Sequence, residues 1–327
     1  MSDTVVGQDI RGGKKPPASW KKMPPVAWVV LAMIAFFGVA APGFFSAGNF
    51  LNITLQGSVL LIMAVAATLV ILTEGIDLSL GSVLTLAGVT AVLALQHGLS
   101  VPVAVLVGVL TGVACGSVTG LLITAGKLPP FIATLGMMGI AAGLALVLTR
   151  QGAIYSDAPA FIFLGGGSLG ILPMPTVIAV LVFLLGWIVL YQTDFGRYII
   201  AIGGNEAGAR LSGVNTAWWK FLTYVAAGAL AALGGVIMAA RLRAADPIVG
   251  NGWEFDAIAA AILGGTSFEK GNGTLGGTVL GVLLISVLRN GLNVIGVGAM
   301  WQPALIGLVI IAAIIFDVLL KQRGAIE

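Results

Sequence analysis

The sequence predicts an all-α protein: a polytopic transmembrane helix bundle of about ten spans, with both termini cytoplasmic. Three observations predict it. Of 327 residues, 58% are hydrophobic and only 9% are charged, whereas a soluble domain carries roughly a quarter of its residues as charges. The apolar residues fall into runs near the ~20 residues that a helix needs to cross the hydrocarbon core with every backbone group paired internally. The basic residues collect in alternate loops, as the positive-inside bias requires. This composition excludes an ordinary cytosolic enzyme and a disordered chain, and the lone Cys115 excludes a disulfide-stapled scaffold. The formal charge of +3 is no nucleic-acid signature, because the basic residues sit at membrane edges.

Residues 1–25 read as a basic cytoplasmic segment, residues 26–320 as a single transmembrane domain, and residues 321–327 as a cytoplasmic tail. The first span is 26–41. Its basic flank and Val39-Ala40-Ala41 also resemble a secretory signal, but Pro42 after the would-be cut argues for an uncleaved helix. Further spans are 52–72, 79–96, 101–125, 130–149, 174–191, 219–240, 254–266, 276–296 and 302–320. The segment 254–266 is short and opens on Glu254 and Asp256, so it also suits a half-helix that enters and returns. Between Gly152 and Pro173, Gly165-Gly166-Gly167 and prolines indicate an extramembrane loop. Ten crossings place twelve of sixteen Lys and Arg residues in the cytoplasm: Arg11, Lys14, Lys15, Lys21, Lys22, Lys127, Arg197, Arg210, Lys220, Lys270, Lys321 and Arg323. Arg150, Arg241 and Arg243 fall outside, and Arg289 lies within a span. An eight-span arrangement omitting 79–96 and 254–266 moves Lys127 outside, so ten is preferred.

Gly108, Gly112, Gly116 and Gly120 repeat on one helix face, as do Gly273, Gly277 and Gly281. Small residues at this spacing let helix backbones approach closely, since lipid supplies no hydrophobic drive for association. They serve tight packing, or they let helices rock against each other.

Polar groups within the spans are costly unless they meet a partner, a cavity or water. In Thr73-Glu74-Gly75-Ile76-Asp77-Leu78-Ser79-Leu80-Gly81-Ser82, two spans join with almost no loop. Asp77 is placed to cap the following helix, with Ser79 and Ser82 available to its first turn. Thr73, Gly75, Asp77 and Ser79 are equally candidates for a gate or pathway, because broken helices at membrane depth are tolerated only beside protein or water. Asn290 and Asn293 share a face of the ninth span, either as glue between helices or as a polar path lining.

The longest cytoplasmic stretch, 192–218, contains an N-cap at Asn205, Glu206 at the positive end of the helix dipole and a stop at Gly213. This predicts an exposed two-turn helix, lying on the membrane surface or gripped by a partner.

Three blocks resemble the ribose-type sugar ABC importer permeases: Ile71 through Ser82, Gly203 through Val214, and Asp256 through Ser267 continued by Asn290-Gly291-Leu292-Asn293. Their order and spacing agree from about residue 44 to 320. The resemblance implies a permease that translocates a monosaccharide, such as a ribose-like pentose, a hexose or a related furanose. It implies pairing with a second permease copy or homologue in a bacterial inner membrane. It also implies a periplasmic or lipid-anchored sugar-binding protein, and a cytoplasmic ATPase that docks on Asn205, Glu206, Ala207, Arg210, Leu211, Ser212 and Gly213. ATP and Mg would belong to that ATPase; no catalytic site, metal site or cofactor is expected in this chain. Its lack of a G-x-x-x-x-G-K-[ST] phosphate loop agrees. Glu74, Arg289 and Glu269-Lys270 depart from the family pattern, and Glu74 and Arg289 are candidates to pair with each other. The rival reading is an ion-coupled secondary transporter of a small polar solute with its site at broken helices.

Overall fold

The computed structural model describes residues 25–267, 271–298 and 300–322. The expectations placed on residues 1–24, on Glu269 and Lys270, and on the tail from Arg323 lie outside these residues. Every apolar run of the sequence becomes a helix. These are α1 (Pro25–Ala40), α2 (Ala47–Ile71), α3 (Leu80–Gln96), α4 (Val101–Thr124), α5 (Pro130–Leu148), α7 (Met174–Gln192), α9 (Thr216–Leu242), α10 (Trp253–Leu263), α11 (Leu275–Val294) and α12 (Gln302–Gln322). Between them lie α6 (Pro159–Gly166), α8 (Asp194–Leu211) and four two-residue strands: β1 (Ile154–Tyr155), β2 (Ser168–Leu169), β3 (Leu172–Pro173) and β4 (Ala244–Ala245).

Local chemistry sets the starts. The side chains of Ser46, Asn215 and Thr274 accept from Asn49 N, Trp218 N and Gly277 N, capping α2, α9 and α11. Prolines occupy the first turns of α4, α5, α6 and α7, where the missing N–H would have had no intrahelical partner.

Six helices (α2, α4, α5, α7, α9 and α11) are long and apolar enough to cross a membrane, and the described parts of α1, α3 and α12 are shorter apolar helices. With eleven residues, α10 is about 16 Å long, half the hydrocarbon thickness. In length this is the half-helix of the sequence reading. The turns of 246–252 lead from β4 into α10, and Gly271 beyond it packs on Gly203 of α8.

The core is built on α2, α3, α9 and α11. About two thirds of the apolar windows of α2, α9 and α11 are buried within the chain, against about a quarter for α4, α5 and α7. Glycines bring α9 against its neighbours at backbone distance. A Cβ on Gly112 would overlap the carbonyl oxygen of Gly228, and one on Gly116 that of Tyr224. Gly235 lies in the same way against Leu84 O of α3, and Gly277 and Gly281 against Gly264 O and Ala260 O, which seats α10 on α11. The face of Gly108, Gly112, Gly116 and Gly120 is thus a helix-packing surface, as is that of Gly277 and Gly281; Gly273 is not on it, since α11 begins at Leu275 and Gly273 meets the Thr266 side chain.

The segment 152–173 is more ordered than a loop. β1 pairs antiparallel with β4 (Ile154 with Ala245), α6 packs its Gly165 on the backbone of Ala240 and Arg241, and β2 and β3 form a hairpin turned at Gly170 with φ +64°. At that end Gln96 Nε2 donates to Tyr155 O at 3.0 Å.

Replacing Gly112 by Leu should lower the unfolding temperature of the detergent-purified protein by several degrees, since overpacking costs about 1–3 kcal/mol. Gly139→Leu, where a Cβ meets nothing within 4 Å, should leave it unchanged. Thermal unfolding of the two variants side by side makes the check.

Candidate functional site

The chemistry-bearing residues gather in three places. The first is the break between α2 and α3. Thr73 Oγ1 donates to Val70 O at 2.8 Å, and Gly75 N reaches the same carbonyl at 3.2 Å, closing α2. Glu74 takes a left-handed φ of +58° and points to the exposed side. Gly75 lies directly under the Tyr224 hydroxyl of α9, where any side chain would collide. Asp77 is buried and, in place of the expected cap on the first turn of α3, closes the turn just ahead of it: one carboxylate oxygen accepts from Ser79 N at 2.9 Å and from Ser79 Oγ at 2.6 Å. Ser79 makes no capping bond itself. The buried carboxylate needs donors, so the hydroxyl turns toward it and not toward the helix. Thr134 Oγ1 of α5 donates to Ile76 O at 3.3 Å and supports the turn.

The second place is the junction of α3 with α10. Thr85 Oγ1 donates to Gly81 O and accepts from Gly250 N, both at 3.0 Å. Gly81 and Gly250 meet backbone to backbone, and Glu254 rests on Gly81 with 5% of its surface exposed. Glu254 Oε1 accepts from Gly252 N at 3.3 Å, and Oε2 has no hydrogen-bond partner among the described residues. Two residues on, Asp256 Oδ2 receives Arg289 of α11 at 2.5 Å, and the Arg289 guanidinium lies 5.8 Å from the Trp253 ring centroid. Arg289 therefore pairs with Asp256 and not with Glu74, because α10 and α11 run antiparallel and bring those two positions level. Asp256 is not an ordinary loop acid.

Asn290 and Asn293 belong to neither place. Asn290 and Asn49 of α2 exchange two amide hydrogen bonds, at 2.9 and 3.0 Å, and Asn293 Oδ1 accepts from Gln302 Nε2 of α12 at 2.6 Å. Both join helices, which is the glue reading. Sequence reasoning passed over Asn49, Thr85, Tyr224 and Gln302. Asn49 carries one visible signal, a polar residue at the foot of an apolar run; the others gain meaning only from their neighbours in space.

The third place is α8. Asn205 has non-helical φ/ψ (−164°, 94°) and divides α8 into two helices. Its Oδ1 accepts from Gly208 N at 2.8 Å, the expected N-cap. Gly213, at φ +84°, closes the short second helix, with Val214 N bonded to Ala209 O at 3.1 Å. Glu206 binds Arg210 at 3.0 Å and Lys220 of α9 at 2.5 Å. Ala207, Arg210, Leu211, Ser212 and Gly213 are exposed, Leu211 at 91%. Beside them an open groove of about 480 Å³ runs between the two halves of α8, lined by Asp194, Arg197, Tyr198 and Asn205 among others. Burial pushes the Glu206 carboxyl up, but the bonds from Lys220, Thr216 and Arg210 outweigh it and hold the group below the usual carboxylate range.

Residues 49–314 match the family of permease components of branched-chain amino acid transport systems. The chain belongs to this permease family. It is 44% identical over 282 residues to the ribose import permease protein of Escherichia coli K12, covering 85% of this chain and 88% of that protein. The ribose import permease of Bacillus subtilis 168 is 41% identical over 279 residues, 84% of this chain and 86% of the relative. The D-allose transport system permease of E. coli K12 is 36% identical over 281 residues, 85% and 86%. The resemblance to ribose-type ABC importer permeases is borne out, and this permease is a multi-pass membrane protein and a transport component, not a catalytic enzyme.

Because the Glu206 carboxyl is depressed, its ties are fully present above the ordinary carboxylate range and are lost as pH falls through the lowered value. The protection factors of the amides of residues 206–214, exchange rates corrected for the intrinsic rate at each pH, should therefore stay high around neutral pH and fall only in acid. In Glu206→Gln they should be low at both.

Proposed function

We propose that this permease of an ABC sugar importer crosses a bacterial cytoplasmic membrane ten times, as one domain of residues 26–320, with residues 1–25 and 321–327 in the cytoplasm. It pairs with a second copy or a homologue to enclose the pathway. A periplasmic or lipid-anchored binding protein delivers a monosaccharide, ribose or a related pentose, hexose or furanose, to the end where β1 meets β4. A cytoplasmic ATPase, which holds the ATP and Mg, grips the helix 205–213 at the opposite end.

The observation that carries this reading is the attachment of that helix. It is short, capped at both ends and exposed on its outer face, yet Glu206 ties it to Lys220 on α9. Helix α9 in turn touches α3 and α4 through glycine contacts that have no soft side chain between them. A displacement of the docking helix is thereby passed to rigid backbone and not absorbed by rotamers. The break at Thr73, Gly75, Asp77 and Ser79 lies beside α9 through the Tyr224 hydroxyl, so the gate and the lever share one helix. Asn290 and Asn293 keep α2 and α12 in register with α11 during this motion.

Leu211→Asp and Arg210→Glu should each abolish co-purification of the ATPase with the permease while leaving the permease's own unfolding temperature unchanged, as neither residue supports the core. Retention of the ATPase in both variants would remove the docking assignment. For the topology, single cysteines in place of His97 and Ser212, in a background lacking Cys115, should react with an impermeant thiol reagent from opposite sides of the membrane. The ion-coupled alternative requires the permease alone to concentrate ribose in vesicles on a proton or sodium gradient. No uptake is expected without the ATPase and ATP.

A further inference from the structure

The junction of α3 and α10 holds a feature that packing does not explain. Two helices begin here facing one another, and each positive N-terminal end has its own carboxylate: Asp77 for α3 and Glu254, in the first turn of α10, for α10. Asp77 spends its bonds on Ser79. Glu254 does not: its Oε2 is buried, lies against Gly81, and has no partner among the described residues. A native structure rarely retains a buried acceptor without a donor, because desolvation is then uncompensated. Glu254 itself is 5% exposed, and the Asp256–Arg289 pair two residues on ties this start of α10 to α11.

We propose that Glu254 is a sugar-binding residue of the translocation path: when α3 and α10 part, its free carboxylate oxygen accepts a hydroxyl hydrogen of a neutral monosaccharide. This rests on the sugar-importer reading above. In the packed state the station is shut, with Gly81 against Oε2 and Thr85 joining Gly250 to Gly81. Parting the two helices breaks the hydrogen bond from Gly250 N to Thr85 and uncovers Oε2, which has no donor among the described residues. A polyol suits it: a sugar hydroxyl can donate to a carboxyl oxygen or accept from a carboxyl proton, and neutral sugar carries no charge of its own into the membrane. Arg289 does not compete, because Asp256 holds it.

The test uses the complete complex of permease, ATPase and binding protein in proteoliposomes, with D-ribose and its singly deoxygenated analogues as probes at saturating concentration, so that maximal rates are compared. In the wild type, one analogue should run roughly tenfold slower than ribose, the worth of about one hydrogen bond. In Glu254→Met that ratio should fall to near one, and in Glu254→Gln to an intermediate value. A variant that slows ribose and all analogues equally would show a packing role and overturn the proposal, as would an unchanged ratio. Equal wild-type rates for ribose and every analogue would overturn it without recourse to variants. A wild-type complex that imports no ribose with ATP would instead overturn ribose as the cargo, and this site as a ribose station with it.

Discussion

Contact of backbone with backbone along α9 is the interaction on which the rest of this structure depends. In lipid there is no hydrophobic gain from bringing apolar helices together, so association rests on dispersion and shape, both of which increase as helix axes approach. Gly112 against Gly228 and Gly235 against Leu84 remove the side chains that would hold the axes apart. Helix α9 can then hold α2, α3 and α4 around itself, while α4, α5 and α7 keep apolar faces that this chain does not bury.

The same scarcity of solvent governs the charges. Four ion pairs are seen among the described residues, and they divide by depth. The two within α8, Arg197–Asp194 and Arg210–Glu206, each have a largely exposed arginine and are worth little as stability. The Glu206–Lys220 contact matters because it joins two helices. Arg289 and Asp256 lie within the bundle, where each alone would be costly, and together with Trp253 they secure a helix too short to hold its place by length.

Short or interrupted helices coincide with unmet chemistry. The turn from Thr73 to Ser79 is held by Asp77, by Thr134 and by the close approach of Gly75 to Tyr224. The start of α10 rests on the glycine pair Gly81 and Gly250 and on one threonine hydroxyl. These are places where few bonds need to change for two elements to part. The rigid contacts lie around α9, and the weak ones where helices begin.

Much of this was legible in the chain itself. Helix positions followed from apolar runs, because a membrane requires each span to satisfy its own backbone; the caps at Asn205 and Gly213 followed because they act within a few residues. The family was legible in three blocks of local sequence. The partners of Arg289, Asn290 and Asn293 were not, nor the burial of Glu254, nor the strands that tie residue 154 to residue 245. A local hydrogen bond or an apolar run is written in neighbouring residues. Which acid meets Arg289, and which carboxylate is left with no donor, depends on how antiparallel helices align in space, and only the tertiary packing decides that.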